Sequence, residues 1–381
     1  MVRIHQRAPL LNPLSLHLRP LATACLLALA TCILYSLELR REPIGPEEAR
    51  LISAAQQTPR GVPPLLVHVG GEHWVQPIGL YATAISHAIV PGFFAGRHAS
   101  IFVASLNVAL IFLVAWRLFS RYLPALAAAI ILMFTPAHYA FGRLGIDVIY
   151  IIPFILIWLY ALLAFIDKDR PASMAVAAAA LGAGVYSTPS APLTMAFLWL
   201  TMMVALWVSG RRKLSTLLTA LATFVAMLAP LAAWFYLHPQ TYLDTYGRWA
   251  IFAAHLRNPV DGILAFVNTN TLGSRASAYW RLLDPSYLFF SSARSTAPLL
   301  MVSAPLIVAG IVRCIRQASK VAAVVILTGL LVAPLAGSSF GEPQYIALAL
   351  GLLPFAALLA AYGIEEIREL IVGRPQPAPE E

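Results

Sequence analysis

Two carboxylates stand side by side at Glu47 and Glu48, in the stretch GPEEAR, just beyond an apolar run at 21–39. Such a pair can act as a general base, ligate a cation, or simply begin a helix, where acids suit the dipole. Adjacent residues on a helix project about 100° apart, so one acid can face a substrate while its neighbour faces the protein. Asp147 follows in GRLGIDV, as an N-cap or helix-dipole acid, or as a second acid of the same cavity. Arg143 in that stretch is placed to pair with Asp147 or to bind an anion.

Cations and polar groups recur in later stretches. His238 stands in YLHPQTY and Arg248 in TYGRW, with Arg257, Arg275 and Arg281 beyond them. Each reads as an interfacial side chain keeping its head in water, or as a phosphate contact, since guanidinium offers a planar fork to phosphate oxygens. Glu342 in FGEPQY is a capping acid or a ligand contact, and Tyr186 in GVYSTPS lies at the same level. The three cysteines, Cys25, Cys32 and Cys314, lie in or beside apolar runs without metal-ligand spacing and read as packing residues. No P-loop, dinucleotide fingerprint or HExxH motif occurs.

The elements that must carry these residues are apolar. Hydrophobic residues make up 60% of the 381 and charged residues 11%, against about 25% charged in a soluble domain. The apolar runs do not alternate, which excludes a β-barrel reading and favours helices. The sequence predicts an all-α polytopic membrane protein of about ten spans, at 21–39, 99–117, 122–138, 147–166, 172–187, 190–209, 214–237, 296–313, 320–337 and 345–364. The first is expected to be an uncleaved signal anchor. The net charge of +9 is not a nucleic-acid signal, because the basic residues fall between spans. Arg117, Arg121, Lys168, Arg170, Arg211, Arg212, Lys213, Arg313, Arg316 and Lys320 all fall in connections on one side, which puts both termini in the cytoplasm.

A single domain over 1–381 is expected, with its polar mass on the outer face: a first outside loop at 40–98, a second at 238–296, and a cytoplasmic tail at 368–381. Long loops in a compact domain are usually functional. Pro46 suits the first turn of a helix over PEEARLISAAQQ, with Leu51, Ile52 and Ala55 on one apolar face, and PIGLYATAISHAIVPGFF, apolar but interrupted, reads as a second helix; both are expected to lie in the interface plane.

This order of elements resembles the GT-C superfamily of integral-membrane glycosyltransferases, in its protein-mannosyltransferase and aminoarabinose-transferase-like branch. GPEEARLISAAQQ occupies the place of the family's Asp-Glu pair after the first span, and HWVQPIGLYATAISHAI that of its second interfacial helix. RHASIFVASLNVALIFLVAWRLF, FTPAHYAFGRLGIDVIYIIPFILIWLY, GVYSTPSAPLTMAFL, YLHPQTY and EPQYIALALGLLPFAALLAAYGI resemble the corresponding bacterial segments. The resemblance implies Glu47 at the catalytic acid position, Glu48 beside it and Asp147 as a second acid. Here the first position is Glu where the family has Asp, and Glu42 is close enough to leave the register open.

The resemblance further implies transfer of a sugar, with inversion, from a polyprenyl-phosphate donor at the outer face of a bacterial cytoplasmic membrane. Arg143, Tyr186, His238, Arg248 and Glu342 would contact substrate. The acceptor is a protein, a lipid or a polysaccharide. Some members of the family use a divalent metal and others do not, so the cofactor stays open. Two other readings compete: a transporter or flippase of lipid-linked sugars, and a non-catalytic scaffold of envelope assembly. The scarcity of charge inside the spans and the absence of an internal repeat weigh against the transporter.

Overall fold

A computed structural model describes residues 13–39, 41, 43–57, 65–68, 74–241, 244, 269–290, 297–338 and 346–372. In chain order the helices are α1 (Pro13–Ser36), α2 (Pro46–Gln57), α3 (Pro77–Ile89), α4 (Ala95–Phe119), α5 (Tyr122–Phe134), α6 (Pro136–Arg143), α7 (Ile151–Lys168), α8 (Pro171–Gly184), α9 (Ala191–Val208), α10 (Leu214–Leu237), α11 (Leu272–Leu282), α12 (Pro285–Phe289), α13 (Ala304–Arg316), α14 (Val321–Gly337) and α15 (Leu352–Val372). A short 3-10 turn, Asp147–Tyr150, leads into α7.

The fold is all-α and membrane-type, but the described residues do not form ten spans. Among the described residues five helices are long and apolar enough to cross a bilayer: Arg19–Ser36, Ala95–Phe119, Asp147–Lys168, Ala191–Val208 and Leu214–Leu237. A sixth arises if α5 and α6, bent by 58° at Thr135, count as one. The correction has a geometric cause. At 1.5 Å per residue, the 14 residues of α8 and the 13 of α13 reach roughly 20 Å, short of a hydrocarbon core of about 30 Å. The 17-residue α14 also falls short. In α15 the apolar stretch stops at Glu365, Glu366, Arg368 and Glu369. Local hydropathy does not see where a helix breaks.

Both helices expected in the first long segment form. α2 starts at Pro46 and buries Leu51, Ile52, Ala54 and Ala55 against Leu80 of α3. Between them lies an element the sequence reading did not contain. It is a two-stranded antiparallel ladder, β1 (Val67–His68) and β2 (Trp74–Val75), with Val67 opposite Val75.

The main core lies among α4, α5, α7, α9, α14 and α15, with Trp158, Tyr35, Phe112, Phe165 and Phe355 fully buried. Close helix contact here depends on small residues, as it does where lipid removes the hydrophobic drive between helices. At Gly310 of α13 an added Cβ would overlap the carbonyl oxygen of Leu359, and at Gly363 of α15 that of Leu306.

The two ends of the bundle differ. At the end where α4 and α7 finish, ion pairs join neighbouring helices. Arg117 bonds Asp167 at 2.8 Å, Arg211 bonds Asp169 at 3.1 Å, Arg121 bonds Glu365 at 2.9 Å, and Arg313 bonds Glu366 at 2.9 Å. The opposite end holds Glu47, Glu48 and Asp147.

Candidate active site

Glu48 is the hub of that end. It is the third residue of α2, and its Oε2 accepts the Gly45 N–H at 2.9 Å, which is the backward half of a capping box. Arg97, in the first turn of α4, donates Nε to Oε1 at 2.8 Å and Nη2 to Oε2 at 2.7 Å. The same guanidinium donates Nη1 to the Leu39 carbonyl at 2.8 Å and Nη2 to that of Pro43 at 2.9 Å. The Gly145 N–H donates to Oε1 at 2.7 Å. That bond requires the α6–α7 connection to run against α4: a Cβ on Gly145 would lie 3.0 Å from the Arg97 nitrogen. Glu48 is 3% exposed. Burial alone would raise its pKa, but the hydrogen bonds from Arg97, Gly145 and Gly45 outweigh burial and hold the carboxyl below its ordinary value.

Glu47 turns the other way. Its side chain is 63% exposed and pairs with Arg50, one turn along α2, at 3.2 Å. It lies within electrostatic reach of Asp147. Asp147 is not an N-cap: Ile146 holds that place, and the aspartate sits in the first turn of the 3-10 segment. It is partly buried beneath α3, whose Gly79 would place a Cβ 2.9 Å from the Asp147 Cβ. So the fold gathers Glu47, Glu48 and Asp147 into one locality but gives them different surroundings. Glu48 is fixed and charged, Glu47 is presented to solvent, and Asp147 is tucked between α3 and α4.

The other expected residues separate into groups. Arg143 is buried at the end of α6, with its guanidinium over the Tyr139 ring at 4.9 Å and bonded to the Tyr139 hydroxyl. The Tyr186 hydroxyl donates to the Met227 carbonyl at 2.6 Å and accepts the Leu231 N–H at 3.3 Å. It thus bridges the carbonyl and the N–H of two residues four apart on α10, on either side of Pro230. His238 caps α10 and stacks on Trp234 at 4.2 Å. Arg275 is buried on α11, and burial pushes its guanidinium pKa down. Arg248, Arg257, Glu342 and Glu42 lie outside the described residues. Among the described residues, no group of three or more His, Cys, Asp or Glu side chains is placed to hold a metal ion.

Sequence reasoning missed Arg97. Its signal was present, because a lone cation opening a 25-residue apolar helix needs a partner. It also missed a link between the two long segments: Trp74 Nε1 donates to Asp244 Oδ2 at 3.0 Å, across 170 residues.

Comparison with known proteins bears on this arrangement. Residues 75–236 match the family model of dolichyl-phosphate-mannose-protein mannosyltransferases. The chain superposes on ArnT from Cupriavidus metallidurans bound to undecaprenyl phosphate with a TM-score of 0.57 at 14% identity, over 93% of this chain and 61% of that one. The fold is GT-C. Two further structures share this GT-C fold. AglB from Archaeoglobus fulgidus, in complex with an inhibitory peptide and a dolichol-phosphate, gives a TM-score of 0.51 at 12% identity, over 95% and 52% of the two chains. The Archaeoglobus fulgidus oligosaccharyltransferase in the apo form gives 0.50 at 14% identity, over 95% and 53%. No curated protein gives a significant match. The chain spans only about half to three-fifths of the length of these GT-C structures.

Proposed function

We propose that this chain is an inverting glycosyltransferase that takes a sugar from a polyprenyl-phosphate donor and places it on an acceptor hydroxyl. The observation that carries the reading is the unequal treatment of two adjacent acids. Arg97 and two backbone N–H groups immobilise Glu48. The same anchoring fixes the first turn of α2 and presents Glu47 outward, within electrostatic reach of Asp147. The undecaprenyl phosphate bound to ArnT and the dolichol-phosphate bound to AglB support a lipid-phosphate donor on this shared fold.

In the proposed reaction the Glu47 carboxylate takes the proton of the acceptor hydroxyl. The freed oxygen pair attacks the anomeric carbon, and the bond from that carbon to the phosphate oxygen breaks with its electrons going to the lipid phosphate. Attack opposite the leaving group inverts the anomeric configuration. Cations of the second long segment, Arg248 and Arg275 among them, are assigned to the departing phosphate, where negative charge grows. Asp147 is assigned as a second carboxylate of the same site, beside Glu47. We place the protein in a bacterial cytoplasmic membrane with segments 40–98 and 238–296 outside and the 368–381 tail in the cytoplasm. Interhelical ion pairs across the other end support an enzyme over a transporter, which must open both ends in turn.

The test uses purified protein in lipid with radiolabelled polyprenyl-phosphate sugars, scoring sugar release and transfer to envelope extract. Loss of general-base catalysis predicts that Glu47→Gln is slower by roughly 10²–10⁴-fold with donor binding kept. Equal rates for the two proteins would remove Glu47 from the role. Donor binding without turnover in the wild type would refute the transferase.

A further inference from the structure

Beside the Glu48 clamp, an open cavity of about 310 Å³ is lined by Ser36, Glu38, Leu39, Phe94 and His98. It lies where α1 ends and α4 begins, and nothing in the proposed reaction uses it. From it the same faces of both helices continue as exposed apolar side chains. On α4, Phe102 and Leu106 follow His98 at intervals of four residues, and Phe102 is 69% exposed. On α1, Ile33 and Leu29 precede Ser36 at intervals of three and four, and Ile33 is 58% exposed. Residues so spaced stack on one side of a helix. The cavity is therefore the polar head of a strip whose length is greasy and runs parallel to the helices.

The polar head has a definite charge pattern. Glu38 carries the anionic charge at the rim, and Arg41, paired with it at 2.8 Å, sets a cation beside it. Glu38 also holds a left-handed backbone with φ 55°, a conformation normally left to glycine. An ammonium beside a phosphate, on two acyl chains, matches a carboxylate beside a guanidinium above exposed apolar helix faces.

We infer that the cavity between α1 and α4, with the apolar faces that continue from it, binds a phospholipid with a primary-amine head group, the ammonium at Glu38, the phosphate toward Arg41, and one chain along Phe102 and Ile33. The site rests on α1 and α4 spanning the membrane and does not depend on the transferase reading. It is coupled to the clamp through its walls. The Leu39 carbonyl accepts a hydrogen bond from Arg97 at 2.8 Å, and the Phe94 ring lies 5.5 Å from the Arg97 guanidinium. A bound lipid thereby braces the residues that hold Glu48.

The full chain, exchanged into equal parts phosphatidylethanolamine, phosphatidylcholine and phosphatidylglycerol and released into detergent, is read by native mass spectrometry. The wild type is expected to retain phosphatidylethanolamine preferentially, and Glu38→Gln to retain it at least about tenfold less, since a charge-assisted hydrogen bond is lost. Leu221→Asn, on the exposed side of α10, is expected to retain it like the wild type. A second variant, Phe102→Trp, adds fluorescence that phosphatidylethanolamine with brominated chains quenches more than brominated phosphatidylcholine does. Equal retention of the three lipids, undiminished retention by Glu38→Gln, or equal quenching by the two brominated lipids would each overturn the inference.

Discussion

Arg97 grips Glu48 with two nearly parallel hydrogen bonds, at 2.8 and 2.7 Å, across 49 residues of sequence, and both side chains are almost wholly buried. A pair of this kind ties three places together: the first turn of α2, the first turn of α4, and the connection that delivers Asp147. Removing one partner strands the other charge in a dry site, at a cost of about 3–5 kcal/mol. Arg97→Met should therefore lower the unfolding midpoint in detergent markedly, and Glu48→Gln by less, because the amide oxygen still accepts from Arg97 or Gly145. Unfolding midpoints of the purified variants check this; an unshifted Arg97→Met would show that the clamp does not hold the fold.

Acid should loosen the same clamp. The Glu48 carboxyl is held below its ordinary value of 4.5. A group whose pKa falls on folding adds stability above the ordinary value, and that stability disappears as pH drops through the lowered folded value. Wild-type stability attributable to Glu48 should be constant from about pH 7 to about pH 5 and decline below about 4.5. Glu48→Gln lacks that contribution throughout, so the gap between the two proteins should narrow on acidification. Melting measured at stepped pH gives the difference; a gap that widens in acid contradicts the direction.

The Trp74–Asp244 bond is the described joint between the two long segments. A hydrogen bond to a charged acceptor is worth about 1.5–3 kcal/mol, and here it restrains a ladder of only two residues per strand. Trp74→Phe should leave global stability within about 1 kcal/mol, because local openings need not involve the core. It should speed amide exchange around Val67 and Val75 about tenfold or more. Hydrogen-exchange mass spectrometry reads this directly, and unchanged protection of that peptide would dismiss the joint.

At the α13–α15 crossing, Gly310 and Gly363 each face a carbonyl of the opposite helix. Gly310→Ala has no flexible neighbour to displace, only backbone, so the helices must part. The expected loss is about 1–3 kcal/mol, as for overpacking elsewhere. Gly273→Ala on α11, where an added Cβ meets nothing within 4 Å, should be neutral or slightly stabilising. Paired thermal melts check both.

Much of the local architecture was legible in the chain. Pro46 and the two acids after it mark the start of α2, and the helix runs over the stretch read as PEEARLISAAQQ. The runs at 99–117, 147–166, 190–209 and 214–237 became α4, the 3-10 turn with α7, α9 and α10 within a few residues. These depend on composition and spacing along a few turns, which sequence holds directly. The count of spans did not follow. The bend between α5 and α6, the shortness of α8 and the start of α15 only at Leu352, which leaves few apolar residues before Glu365, are decided by which faces pack together, and a hydropathy run carries no record of that.

The site divides along the same line. By itself the sequence determined that two acids open a helix beyond the first span, that adjacent helical residues diverge, and that Asp147 precedes a span. Only the tertiary structure decided which acid is locked and which is presented. That choice belongs to Arg97 and Gly145, distant along the chain, and to the glycines that let backbones approach closely enough for the bonds to form. The sequence marks that a cation opening an apolar helix needs a partner, but which distant acid it takes leaves no local pattern. The pairing exists because desolvating Glu48 without partners would cost more than the fold can absorb, and the partners were supplied from elsewhere in the bundle.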